Sequence, residues 1–208
     1  LAEAATAQRA AIVRPRGNLA LGERVVRLHE PQLVGILNVT PDSFSDGGKH
    51  VNTSAASEAG YALASAGAAI VDVGGESTRP GAPLVWEGDE IQRVESVVAA
   101  LARGGVAVSI DTRKAAVMEA ALAAGATIVN DVSALRYDER AMEVVAGAGC
   151  PVVLMHAPSG KSDPHEGGTY SHPLFDVYDM LAERVFACKA AGIDPAKIIV
   201  DPGIGFGK

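Results

Sequence analysis

Val106-Ala107-Val108-Ser109-Ile110-Asp111 is an apolar, β-branched run that stops at a carboxylate, and five other runs in the chain end in a similar way. They are Val34-Gly35-Ile36-Leu37-Asn38, Ala69-Ile70-Val71-Asp72, Thr127-Ile128-Val129-Asn130, Pro151-Val152-Val153-Leu154-Met155-His156 and Ile198-Ile199-Val200-Asp201. Continuous runs of this length and composition predict strands buried on both faces, as in a parallel sheet. A side chain able to bind or react at the end of each successive strand predicts a (β/α) barrel with its site at the carboxyl rim. An open doubly wound sheet would instead gather such groups at one switch point. No G-x-G-x-x-G turn follows any of these runs, which also favours the barrel.

Between the runs lie helical patterns. Ser54 to Ala66 is Ala-rich, with Thr53 or Ser54 expected as its N-cap. Asp89 to Arg103 carries Ile91, Val94, Val98 and Leu101 on one face and ends at Gly104-Gly105. Arg113 to Ala124, behind Asp111 or Thr112, closes at Gly125, and Asp176 to Ala191 closes at Gly192. A complete (β/α)8 TIM barrel needs roughly 250 residues. The 208 residues are therefore expected to hold only its first six β/α units. Residues 1–30 read as a partly disordered lead or a capping hairpin, and 31–208 as the barrel domain, with the C-terminal part of the barrel absent.

The formal net charge of -7 argues against nucleic-acid binding, which calls for a basic face. No run approaches the ~18–20 apolar residues of a membrane span, and the first residues do not read as a signal peptide. Two cysteines without paired spacing, Cys150 and Cys188, predict structural thiols in a reducing, cytoplasmic setting.

The loops leaving the strands carry the chemistry. Asn38-Val39-Thr40-Pro41-Asp42-Ser43-Phe44-Ser45-Asp46-Gly47-Gly48 crowds small polar groups around an aromatic, which a bland surface loop would rarely do. In Asp72-Val73-Gly74-Gly75-Glu76-Ser77-Thr78-Arg79-Pro80-Gly81, paired glycines allow close backbone approach to a ligand, and Arg79 can pair with a phosphate or carboxylate. Asp111 and Asp131 could be site groups or only helix caps. Asp201-Pro202-Gly203-Ile204-Gly205-Phe206-Gly207-Lys208 lacks the G-x-x-x-x-G-K spacing of a phosphate loop. His156 reads as a hydrogen-bonded rim residue, and His165 and His172 as solvated loop residues.

From about residue 33 to the last residue, these motifs resemble the bacterial dihydropteroate synthases of the pterin-binding enzyme family, in family order. The resemblance implies an enzyme that joins 4-aminobenzoate to 6-hydroxymethyl-7,8-dihydropterin diphosphate, giving 7,8-dihydropteroate and diphosphate for folate biosynthesis. By resemblance, Asp111, Asn130 and Asp201 read the pterin, Met155 lines its pocket and Thr78 contacts the dihydropterin diphosphate. Asn38 matches a Mg2+ position. Asp46 and Arg79 are expected to close over the reaction, with Phe44 and Phe206 framing the aminobenzoate ring. Asp72 receives no role. A homodimer is compatible with the resemblance. Family members also carry Ser-Arg-Lys and Arg-x-His segments on a seventh and eighth strand, and neither occurs in these 208 residues. The chain alone is therefore expected to be weakly active or inactive. A pterin-binding methyltransferase domain and a non-catalytic pterin-binding paralogue are the alternatives; the first loop disfavours the former, and intact Asn38, Asp111, Asn130 and Asp201 disfavour the latter.

Overall fold

The computed structural model describes residues 3, 6, 9, 10, 13–40, 49–79, 81–158 and 168–207. An antiparallel hairpin, β1 (Asn18–Leu21) and β2 (Arg24–Arg27), precedes six β/α repeats. These run β3 (Val34–Asn38), α1 (Lys49–Ser65), β4 (Ile70–Gly74), α2 (Glu87–Arg103), β5 (Val108–Asp111), α3 (Ala115–Ala124), β6 (Ile128–Asp131), α4 (Ala141–Ala148), β7 (Val152–Met155), α5 (Pro173–Ala190) and β8 (Ile198–Asp201). Every pairing from β3 to β8 is parallel, and the spatial order equals the chain order. A doubly wound sheet reverses its order once, and this one never does. Right-handed crossovers without reversal put all the helices on one face, so the other face becomes a barrel interior. Among the described residues β3 pairs only with β4, and β8 only with β7.

Alternation sorts each strand. Leu37, Val71, Val73, Val108, Ile110, Val129, Val152 and Leu154 pack outward against Val94, Val97, Val98 and Leu101 of α2, Val117, Met118 and Ala121 of α3, and Val145 of α4. Residues of the opposite parity point inward. At the amino end of the interior, Ile70, Ala107 and Ile128 meet Leu19, Leu21 and Val26, so the hairpin plugs the end opposite the polar tips.

Several helix limits differ from expectation. The first helix starts at Lys49, which places Thr53 and Ser54 inside it rather than at its cap. Their neighbourhood satisfies them within the helix: the Ser57 hydroxyl donates to the Thr53 carbonyl, and Ser54 to Glu58. α3 begins at Ala115, and neither Asp111 nor Thr112 caps it; the carboxylate of distant Asp138 accepts the Ala115 N–H at 2.8 Å. α4 has no counterpart in the pattern reading, because Val144-Val145 and Gly147 weaken its helical character. Cys150 and Cys188 are buried free thiols, and no described helix is long and apolar enough to cross a membrane.

Leu21 is 3% exposed within the plug. Leu21→Ala is expected to cost about 2–5 kcal/mol, read as a lower urea midpoint without loss of parallel-sheet circular dichroism.

Candidate functional site

The inward-facing rim residues form two rows. Asn38, Gly74, Asp111, Asn130 and Val153 are successive register partners across β3 to β7. One step below run Ile36, Asp72, Ser109 and Ile128. Met155 lies opposite Asp201 on the last pair. Adjacent parallel strands are about 4.8 Å apart, so these groups share one concave mouth. Gly74 supplies room at its centre: a Cβ there would stand 3.4 Å from Asp111 Oδ2 and 3.6 Å from Asn38 Oδ1.

Among the described residues, no group donates a hydrogen bond to the Asp111 carboxylate, a deficit matched by its electrostatics. Loss of hydration pushes its pKa well above the ordinary carboxylate value, and the charges of Asp72, Asp131, Glu90 and Glu76 push it further. Asp72, 6% exposed, is also raised by burial, partly offset by the nearby Ser109 hydroxyl and the Asn130 amide, while its buried Oδ1 has no hydrogen-bond partner among the described residues. Asn130 Nδ2 donates to Asp72 Oδ2 at 2.8 Å. Asp201 Oδ1 accepts the Gly203 N–H at 2.7 Å, which fixes the turn out of β8.

A buried charge cluster supports the second loop, and pattern reading missed it. Glu90 is fully buried, and its carboxylate accepts hydrogen bonds from Lys114 Nζ and from Thr112 Oγ1, the latter at 2.7 Å. Lys114 also bridges to Glu76 Oε1 at 3.1 Å, and Arg113 Nε reaches Glu76 Oε2 at 3.3 Å while its guanidinium stacks over Tyr137. Glu76 Oε1 in addition accepts the Val85 N–H at 2.9 Å, so one carboxylate clasps both ends of the 76–85 excursion. Burial alone would raise the pKa of Glu76, but the Val85 amide, Lys114 and Arg113 together hold it below the ordinary value. Gly75 lets this loop cross α2: a Cβ there would lie 2.8 Å from Val94 Cγ1 and 2.9 Å from Glu90 Cγ. Glu76 stood in the quoted motif, and its clue was the paired Arg113-Lys114 just beyond Asp111.

Asp131 has outward parity and faces away from the mouth. Its carboxylate accepts the Ser133 N–H, the Ser133 hydroxyl and the Leu135 N–H, winding the loop beyond β6 so tightly that Ala134 and Leu135 take positive φ of 55° and 58°. Arg184 donates to the Ala134 carbonyl, and Arg136 to the Ser133 and Ala157 carbonyls, which pins this strained turn. His156, also outward, is 4% exposed with its ring 6.0 Å from that of Tyr170, and its backbone N–H donates to the Asp201 carbonyl.

The structure thus brings together Asn38, Asp111, Asn130, Met155 and Asp201. Met155 packs with Val132, Ala157 and Phe206 at the β7–β8 side. Thr78 is half-buried and Arg79 exposed on the second loop. Phe44 and Asp46 lie outside the described residues. No group of three or more His, Cys, Asp or Glu side chains suited to a metal occurs among the described residues. One amide oxygen at Asn38 still suits Mg2+, which retains waters and takes phosphate oxygens for its remaining ligands.

Residues 34–208 match the family model described as "Pterin binding enzyme". Dihydropteroate synthase of Mycobacterium leprae is 47% identical over 178 residues, covering 85% of this chain and 63% of that protein. The chain therefore spans less than two thirds of that relative. Xanthomonas albilineans dihydropteroate synthase with 4-aminobenzoic acid superposes with a TM-score of 0.84 at 45% identity, covering 92% of this chain and 68% of that one. The same enzyme in complex with 7,8-dihydropteroate gives 0.80 at 42% identity, with the same coverage.

Two outcomes follow from the charges. Because the folded state raises the Asp111 pKa, the native protein binds the proton more tightly than the unfolded chain, and stability falls as pH rises above 3.8 toward the folded value. Asp111→Asn should therefore melt higher than the parent at pH 7, with the difference shrinking toward pH 4. Glu90→Ala leaves Lys114 with Glu76 as its remaining carboxylate and the buried Thr112 hydroxyl without its acceptor, and should cost roughly 1–3 kcal/mol, measured by urea denaturation.

Proposed function

The chain belongs to the pterin-binding enzyme family, and on that premise we propose that it performs the dihydropteroate synthase reaction on 6-hydroxymethyl-7,8-dihydropterin diphosphate and 4-aminobenzoate. The observation that carries the reading is Asp111, a desolvated carboxylate at the centre of the mouth to which no described residue donates a hydrogen bond. Such a group is costly until a ligand supplies donors. The pyrimidine edge of a pterin offers adjacent N–H groups that a carboxylate accepts well. In this reading Asn130 adds an amide contact, Asp201 a second carboxylate and Met155 an apolar wall against the ring.

Two rim cations, Arg113 and Lys114, are already engaged by Glu76 and Glu90. Arg79, exposed on the clasped second loop next to Thr78, is left to meet the diphosphate. Mg2+ held at Asn38 would offset the negative charge that grows on the leaving diphosphate. The bond from the pterin methylene carbon to the diphosphate oxygen breaks first, both electrons leaving with oxygen, and the carbon's positive charge spreads into the dihydropterin. The amine nitrogen of 4-aminobenzoate then forms the new C–N bond and releases a proton to solvent. Closure of Arg79 and Asp46, with Phe44 and Phe206 against the arene, keeps water from trapping the cation. The buried free thiols fit a cytoplasmic enzyme, and a homodimer is the assembly that the resemblance suggests.

The 208 residues assayed alone are expected to bind 6-hydroxymethylpterin yet turn over slowly, because the resemblance places further basic groups on segments not among them. Asp111→Asn should weaken that binding by roughly 10- to 100-fold, and Gly74→Ala should do so with little change in melting temperature, since its methyl would meet Asp111 and Asn38 only at ordinary contact distances of 3.4–3.6 Å. Binding that survives both substitutions would overturn the assignment, as would binding of methyltetrahydrofolate in place of the pterin. Positional isotope exchange within the diphosphate, without 4-aminobenzoate, tests the order of bond breaking; turnover accompanied by no exchange would count against early cleavage.

A further inference from the structure

We propose that Asp72 is a positioning residue that sets the polarity of the Asn130 amide, and so decides which arrangement of donors and acceptors the pocket accepts. The inference rests on the reading of the mouth as a pterin site and deepens it.

Asp72 and Asn130 belong to β4 and β6, two strands apart, and meet across Ser109 of the intervening strand. All three side chains have inward parity. Asp72 and Ser109 are 6% and 3% exposed, whereas Asn130 is half-buried at the mouth. A carboxamide is nearly symmetric in shape, so packing alone does not choose between its oxygen and its nitrogen. An ionised carboxylate chooses, because it accepts hydrogen bonds and donates none. With Nδ2 donating to Asp72 Oδ2 at 2.8 Å, the carbonyl Oδ1 must turn away from Asp72. Among the described residues nothing hydrogen-bonds to Oδ1.

The second consequence concerns Asp111, the register neighbour of Asn130. Asn130 stands between two carboxylates, and one N–H of its NH2 group goes to Asp72 Oδ2 at 2.8 Å. Held in that orientation, the amide makes no hydrogen bond to Asp111, whose acceptor capacity stays open for a ligand. Without Asp72, the amide could rotate and donate to Asp111 instead. The mouth would then lose an acceptor while remaining filled, folded and unchanged in shape. Asp72 in this view need not touch the ligand; it works through Asn130.

The test compares 6-hydroxymethylpterin, a 2-amino-4-oxo heterocycle, with its 4-amino-2-oxo isomer, using pterin fluorescence to measure binding to the full chain. The two have one shape and swapped donors and acceptors. The parent is expected to prefer the first by about 100-fold or more, as a site built on hydrogen bonds does. Asp72→Asn, nearly isosteric, should reduce the preference below about 10-fold, and should change nothing further in an Asn130→Ala background. Equal weakening of both isomers, or effects of the two substitutions that simply add, would overturn the proposal.

A ligand-free readout accompanies it. In protein labelled with 15N-asparagine, one side-chain N–H of Asn130, identified by its absence in Asn130→Ala, should be shifted downfield and exchange slowly; Asp72→Asn should abolish both properties. An Asn130 amide unaffected by Asp72→Asn also overturns the proposal. A parent chain that binds neither isomer overturns the pterin reading, and the specificity claim with it, before any variant is made.

Discussion

A side chain on a strand of a closed-up parallel sheet points either toward the helices or into the interior, and the direction alternates residue by residue. That constraint divides the polar strand ends into two kinds. Asn38, Asp72, Asp111, Asn130 and Asp201 share the inward parity of the plugged interior and line the mouth. Asp131 and His156, one residue out of phase, fall outside, and Asp131 holds the loop beyond β6 in place. A single-residue slip in any strand would exchange the kinds, so the outward apolar set that packs α1 to α4 is also what keeps the acids aimed at the site.

Asp111 and the four carboxylates whose charges act on it, Asp72, Asp131, Glu90 and Glu76, make five, and the structure deals with them in different ways. Glu76 and Glu90 are matched by Arg113 and Lys114, two acids against two bases, with further hydrogen bonds to amide and hydroxyl groups. Asp131 is stabilised by backbone and hydroxyl donors, and Asp72 by the Asn130 amide. Only Asp111 among these five lacks a donor from the described residues, and the other four raise its proton affinity. Stabilising contacts have been placed on every neighbour of the group that is left for a ligand, which is how a marginally stable protein can carry an unsatisfied site.

The barrel and the inward tips were legible in the sequence because each strand is a short β-branched run with a definite end, and period two does the rest. Family resemblance then singled out Asp111, Asn130 and Asp201 as the expected pterin readers, which the pattern alone could not. What stayed hidden depends on contacts between segments far apart in the chain. Asp138 capping Ala115, Glu90 reaching Lys114 and Asp72 meeting Asn130 are separated by 23, 24 and 58 positions. No local propensity encodes such pairs. The loop at Ala134-Leu135 was hidden for another reason: neither residue favours positive φ, and hydrogen bonds to Asp131 and from Arg136 and Arg184 hold it there.

On the proposed reading an acidic mouth must receive an anionic diphosphate, and the two charges would be kept apart by separation. The carboxylates of the inner rows face a region where a heterocycle presents N–H donors, and negative charge there is an advantage. The described cations closest in sequence to Asp111 cannot migrate inward to neutralise it, because Arg113 is fixed between Glu76 and the Tyr137 ring and Lys114 between two glutamates. Arg79 is exposed on the loop that Glu76 clasps, off the strands that carry the inner rows. A ligand with a donor-rich head and an anionic tail fits this polarity in one orientation only. The reverse orientation would place phosphate oxygens against Asp111 and Asp72, which in a partly desolvated mouth is strongly unfavourable. The ion cluster therefore does more than brace a loop: by immobilising Arg113 and Lys114 it preserves a charge gradient that, on the proposed reading, would orient the substrate before any bond breaks.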